Sequence, residues 1–87
     1  MRGSDSSSGG RTAITLKAPP AGAVEIGFEP IGSAFTVRDG DFVVLELDAA
    51  SVARLEFVSW PNGIAVWVPY PGDYVVRDSA GQELDRL

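Results

Sequence analysis

The chain has 87 residues and a mass of 9.2 kDa, which is enough for one domain. Hydrophobic residues make up 45% of it and charged residues 22%, a composition typical of a folded protein and not of a disordered one. The sequence contains neither histidine nor cysteine. Their absence excludes a histidine base, a thiol nucleophile, a disulfide and the usual kind of zinc site.

The charge of the chain argues against two classes of partner. Twelve acidic and seven basic residues give a net charge of −5, and the basic residues are spread along the whole chain. Nucleic acids and anionic membrane surfaces repel such a chain, so we expect neither as a partner. The longest apolar run, residues 64–68, is far shorter than the roughly 20 residues of a membrane span. We find no apolar segment typical of a signal peptide near the N-terminus, and the sequence indicates no particular compartment.

Residues 1–11 are expected to lie outside the folded domain. They are serine, glycine, charged residues and little else, with nothing apolar after Met1. Such a segment buries too little surface to offset its ordering entropy, so we predict a disordered tail. Its first four residues also resemble the start of a common expression vector. The domain is therefore expected over residues 12–87.

From Thr12 onward, apolar residues recur at every second position, which is the period of a half-buried strand. Turn residues such as those at 19–22 separate the short segments with this pattern. One helical turn is expected near residues 49–53, with Asp48 as its cap. About 6–8 short strands predict an all-β domain, either a small antiparallel β-sandwich or a partly open barrel. The predicted strands are residues 12–18, 23–28, 34–38, 41–48, 54–60, 64–68 and 73–78, with a final short one around Glu83 and Leu84.

Two turns predict hairpins with a defined register. Asp39-Gly40 is a favoured two-residue turn and would pair Val37 with Phe42, leaving apolar residues on both faces of that hairpin. Asn62-Gly63 is a second favoured turn.

In the second hairpin, the predicted register places Val58 opposite Trp67, with Trp60 diagonal to it. One face of the hairpin is assigned to the core by its apolar residues, Leu55, Phe57, Ile64, Val66, Val68 and Tyr70. The other face begins with Arg54 and Glu56 and ends in an apolar patch near the turn. Exposed aromatic patches of this kind mark partner surfaces, although a second sheet covering the rings is an equally simple interpretation.

The patch carries the functional prediction. We expect a non-enzymatic structural or protein-interaction module that assembles with itself or docks on another subunit. The predicted contact residues are Val58, Trp60 and Trp67, widened by Tyr70 and Tyr74. A homo-oligomer is favoured because a domain of about 80 residues without disulfides rarely derives more than ~3–5 kcal/mol from its core. The alternative is a carbohydrate or small-ligand binding module that stacks its ligand on the same rings.

Catalysis, metal binding and a cofactor are not expected. Most candidate acid–base carboxylates, Glu25, Glu29 and Glu56 among them, lie at outward positions of alternating strands, where contact with water accounts for them. Glu46 differs because its neighbours on the same strand face are apolar, so we expect it at an exposed strand end or paired with an arginine such as Arg38 or Arg77. The acidic turn at residues 39–41 lacks the spacing of a calcium-binding loop.

Overall fold

The computed structural model describes residues 10–87, and these residues form eight strands in two sheets with one short 3-10 helix. The prediction of an all-β domain is confirmed. Of the predicted tail, residues 1–11, the first nine lie outside the described residues. Arg11 belongs to the first strand, which therefore begins one residue before the predicted start of the domain. The elements are β1 Arg11–Lys17, β2 Ala23–Glu29, β3 Ser33–Arg38, β4 Phe42–Asp48, η1 Ala49–Arg54, β5 Glu56–Trp60, β6 Gly63–Trp67, β7 Val75–Asp78 and β8 Glu83–Arg86.

Each sheet has four strands. Sheet one has the order β1-β4-β7-β8, and sheet two has the order β3-β2-β6-β5. All neighbouring strands run antiparallel except β2 and β6, which run parallel. Sheet two is therefore mixed, where a wholly antiparallel arrangement was expected. The parallel pair arises because the chain crosses from β3 into sheet one and returns through η1 on the other side of β2.

Strands β1 to β4 form one long hairpin that is folded in half. Its turn lies between β2 and β3, and its two arms stay paired after they bend from sheet two into sheet one. Main-chain hydrogen bonds cross the bend: the Ala18 N–H donates to the Asp41 carbonyl at 2.9 Å, and the Asp39 N–H donates to the Gly22 carbonyl at 2.9 Å. Both arms therefore turn together over the core.

The pairing predicted across the Asp39-Gly40 turn is wrong. The turn itself forms, with φ of 50° at Asp39 and 80° at Gly40, as a type I′ turn requires. The strands on either side of it, however, lie in different sheets, so Val37 and Phe42 are not paired.

The apolar character of both predicted faces explains this divergence. Phe35 and Val37 of β3 pack against the core from sheet two. Val43, Leu45 and Leu47 of β4 pack against the same core from sheet one. Two sets of side chains that a flat hairpin would direct to opposite faces are thus both buried, because the two strands belong to opposite layers.

The core fills the space between the sheets. The rings of Phe28 and Phe35 meet edge to face, with centroids 6.1 Å apart and an interplanar angle of 61°. Side chains from both sheets contribute to one continuous cluster, and its largest fully buried members are Tyr74, Phe28, Ile26, Leu45, Leu47, Val66 and Val76.

The helical turn predicted near residues 49–53 is the 3-10 helix η1. Asp48 precedes it but makes no side-chain capping bond. Its carboxylate instead lies 3.6 Å from the Arg11 guanidinium, and the Ala49 N–H donates to the Gly10 carbonyl at 2.8 Å. Across residues 10–87, η1 and the rest of the chain provide no helix with the length and hydropathy to cross a membrane.

Candidate functional site

The β5–β6 hairpin that carries the predicted patch forms, with a register two residues from the predicted one. Trp60 lies opposite Gly63 and not Ala65, because the two-residue turn is Pro61-Asn62. Proline holds its own φ near −65°, and neither Asn62 nor Gly63 adopts the positive φ of a type I′ turn. A shift of two residues keeps every side chain on its predicted face.

Three rows of side chains cross the outer face of sheet two, defined here as the face turned away from the core. The first row places Trp67 between two carboxylates, and the middle row consists of small residues that end at Val58. The third row ends at Trp60. In order across the sheet, the rows are Glu29, Trp67, Glu56; Ala34, Gly27, Ala65, Val58; and Thr36, Glu25, Gly63, Trp60.

The indole of Trp60 lies directly on the backbone of Gly63. A Cβ atom at Gly63 would come within 2.5 Å of Trp60 Cζ2 and 2.7 Å of the Glu25 carbonyl oxygen. Glycine is therefore required below the ring. Trp60 as a whole is still 43% exposed, so part of this residue is open to a ligand.

The structure brings three of the predicted contact residues together on the surface. Trp60 and Trp67 are each 43% exposed and Val58 is 54% exposed. Within residues 10–87, sheet one packs on the other side of sheet two, so no second layer covers these rings. The interpretation in which the monomer buries the two indoles does not hold for this part of the chain.

The two predicted tyrosines have different environments. Tyr74 is 2% exposed, and its hydroxyl donates a hydrogen bond to the Pro69 carbonyl. Its ring also lies against the backbone of Gly72, where a Cβ atom would be 2.5 Å from the hydroxyl oxygen. Tyr74 is therefore a buried anchor of the loop and cannot contact a partner. Tyr70, which was placed on the core face, is exposed to solvent.

Phe57 is a surface residue that the sequence analysis assigned to the core. It is 50% exposed because β5 is the edge strand of sheet two, and all five residues of β5 are exposed. Phe57 and Val58 project from opposite faces of this strand, so the edge is apolar on both sides. In the sequence, the adjacent apolar residues Phe57 and Val58 are the one feature that indicates an edge that is apolar on both sides. The same pattern fits a strand that is buried on both faces equally well.

On the outer face of sheet one, acidic side chains form ion pairs with arginines. Glu46 and Arg77 form an ion pair with a distance of 2.9 Å between Oε2 and Nε, which decides between the two arginines that the sequence offered. Asp73 lies 3.4 Å from Arg86 and 3.9 Å from Arg11. On this face, Glu46, Asp48, Asp73 and Glu83 thus have basic partners on neighbouring strands and loops.

Sheet two lacks this compensation. Among residues 10–87, Glu25, Glu29 and Glu56 form no ion pair, although all three lie on the outer face beside an indole. Arg38 occupies the corner of the same face, next to Ala23, and it does not reach Glu25. The patch is therefore both aromatic and acidic.

A cleft of about 500 Å³ lies between the free edge of β3 and sheet one. Phe35 and Leu84 form part of its apolar wall, and Asp41 and Asp78 lie at its rim. The rim carboxylates are engaged in local turns: Asp78 accepts from two main-chain N–H groups of the following turn. Hydrogen bonds from the Ser79 side chain and the Phe42 main chain lower the pKa of Asp41 below its ordinary value. The remaining polar side chains in its lining are those of Thr36 and Arg38.

No group of three or more acidic side chains in the described residues is arranged to hold a metal ion. Comparisons with protein-family models, with curated proteins and with solved structures find no match to this chain.

Proposed function

We propose that the protein is a non-enzymatic interaction module that assembles by pairing the free edge of β5 with an extended strand, in the first place β5 of a second copy. The observation that carries the proposal is the exposure of Phe57 and Val58 on opposite faces of one edge strand. A partner docked on one face would cover one of these side chains. A strand added at the edge extends both faces sideways and places cross-strand neighbours beside both side chains, while the faces themselves stay open.

The other edges of the two sheets are better protected against pairing than β5. Lysine, other charged residues and bulges are the usual devices that prevent edge pairing. β1 begins with Arg11 and ends with Lys17, and β3 ends with Arg38. β8 carries charges at three of its four positions and pairs through an irregular register. β5 has one charged residue, Glu56, and a regular register.

The register of β5 suits a two-fold symmetric pair. Trp60 and Gly63 flank the two-residue turn and form main-chain hydrogen bonds with each other. Because main-chain groups point to alternate sides along a strand, the N–H and C=O groups of Phe57 and Ser59 point toward the free edge. In an antiparallel pair centred on Val58, Phe57 of one copy lies opposite Ser59 of the other and can exchange hydrogen bonds with it. Glu56 then lies opposite Trp60, so no like charges face each other.

The mass of the full chain in solution tests the proposal, measured by light scattering after size exclusion over a wide concentration range. We expect wild-type protein to have twice the monomer mass of 9.2 kDa at high concentration and to dissociate on dilution. Val58→Glu should be monomeric throughout, because two carboxylates would face each other at the centre of the pair. Val52→Glu, an exposed valine in η1, is the matched control and should behave as wild type.

A wild-type protein that is monomeric at every concentration would overturn the proposal, as would a Val58→Glu variant that still dimerises. The carbohydrate alternative stays a prediction that rests on the two indoles, and a glycan array tests it directly. The predicted absence of catalysis also stays a prediction.

A further inference from the structure

The outer face of sheet two combines two chemistries that attract the same ligand. The face of an indole attracts a cation through its electron density, and carboxylates attract a cation through their charge. Trp67 lies between Glu29 and Glu56 in one row, and Trp60 lies on Gly63 next to Glu25 in another. A neutral ligand could stack on the rings and donate hydrogen bonds to the carboxylates, but only a cation is also attracted by their net charge.

The contrast with sheet one indicates that the missing cation comes from outside. On sheet one, Arg77 and Arg86 lie beside carboxylates of the same chain. On the outer face of sheet two, the three glutamates form no ion pair within residues 10–87. The protein as a whole has a net charge of −5, which also favours the approach of a basic partner.

We infer that the outer face of sheet two binds a basic peptide segment, with lysine or arginine side chains on the indoles of Trp60 and Trp67 and in contact with Glu25, Glu29 and Glu56. This inference goes beyond the proposed function because it concerns a second partner and uses the face of the sheet. Pairing of β5 edges leaves that face open.

The geometry also sets the spacing of the basic residues. Trp67 and the Gly63 position below Trp60 are four residues apart on β6, which is about 13 Å in a strand. An extended peptide that follows β6 therefore places residues four positions apart over the two indoles.

The test is a titration of the full-length protein with a short peptide that has two arginines four positions apart, followed by tryptophan fluorescence. The control peptide has citrulline, which is neutral and of similar shape, at both positions. We expect the arginine peptide to bind at least about fivefold more tightly than the citrulline peptide, and its affinity to fall with added salt. Glu29→Gln with Glu56→Gln should remove most of that preference, whereas Glu83→Gln on sheet one should not.

The outcome is independent of dimer formation. Val58→Glu, which is designed to prevent edge pairing, adds a carboxylate to the outer face and should retain or strengthen binding of the arginine peptide. Equal affinity for the arginine and citrulline peptides would overturn the inference, as would unchanged preference in the double glutamine variant. Binding of a neutral glycan in place of the arginine peptide would also overturn it and would favour the carbohydrate alternative.

Discussion

Replacing Gly63 with alanine tests the geometry on which the outer face depends. The new Cβ atom would lie 2.5 Å from Trp60 Cζ2 and 2.7 Å from the Glu25 carbonyl oxygen. The second contact is with the backbone of β2, which cannot retreat without disturbing the parallel pairing with β6. The structure must therefore displace both the indole and the strand.

Each of these two displacements has its own cost, and the two costs add. Overpacking of a filled site costs about 1–3 kcal/mol. Lifting the ring off the sheet exposes about 50 Å² of apolar surface, which is about 1.3 kcal/mol at about 25 cal/mol per Å². Alanine offsets about 0.4–1 kcal/mol of this loss of stability, because it lowers the conformational entropy of the unfolded chain. We expect Gly63→Ala to lower the free energy of unfolding by about 1–4 kcal/mol.

Urea denaturation measures this change, and acrylamide quenching of tryptophan fluorescence reports whether the indole has moved into solvent. Gly27→Ala is the matched control on the neighbouring row, where the nearest atom to a new Cβ is the Ser33 carbonyl oxygen at 3.8 Å. That distance is an ordinary contact, so the control should be neutral or slightly stabilised. If Gly63→Ala is as stable as Gly27→Ala and its quenching is unchanged, Trp60 does not lie on Gly63 and the outer face is described incorrectly.

Two further predictions concern the fold. Tyr74→Phe removes a buried hydroxyl that donates a hydrogen bond to the Pro69 carbonyl. In urea denaturation this variant should have a free energy of unfolding lower by about 1–2 kcal/mol. An unchanged value would mean that the hydrogen bond contributes nothing to stability. The second concerns the ion pair of Glu46 and Arg77, whose side chains are each 34% exposed. A double-mutant cycle with glutamine at both positions should give a coupling energy of about 0.5–1 kcal/mol that decreases with salt. A coupling energy of zero would contradict the pairing.

Local sequence patterns predicted the strands because alternation and turn chemistry act over a few residues. The period of two located each of the eight strands to within a few residues, and Asp39-Gly40 formed the turn that its composition favours. The displaced register of the β5–β6 hairpin was also a local matter, because Pro61 directly precedes Asn62-Gly63 and moves the turn by one residue. The fixed φ of proline at the first turn position is therefore a local signal for this register.

The partners of the strands could not be predicted in this way. A favoured turn at Asp39-Gly40 indicates that the chain reverses, but it does not say whether the flanking strands pair or enter different sheets. That choice depends on which arrangement buries Val37 and Leu45 together, and the two residues meet through the packing of two layers. The parallel pairing of β2 with β6 has the same origin, since it joins segments separated by more than thirty residues in the chain.

The candidate site shows the same division. Alternation alone placed Val58, Trp60 and Trp67 on one face, and their exposure agrees with an outward-facing patch. Alternation also placed Glu56 on that face. The edge position of β5 and the placement of Glu25 and Glu29 beside the indoles were not predictable, because both depend on strand order. Short-range chemistry thus specifies which residues form strands and which side each one faces. Strand neighbours and free edges follow from the burial of apolar surface by the whole chain, which no segment can accomplish alone.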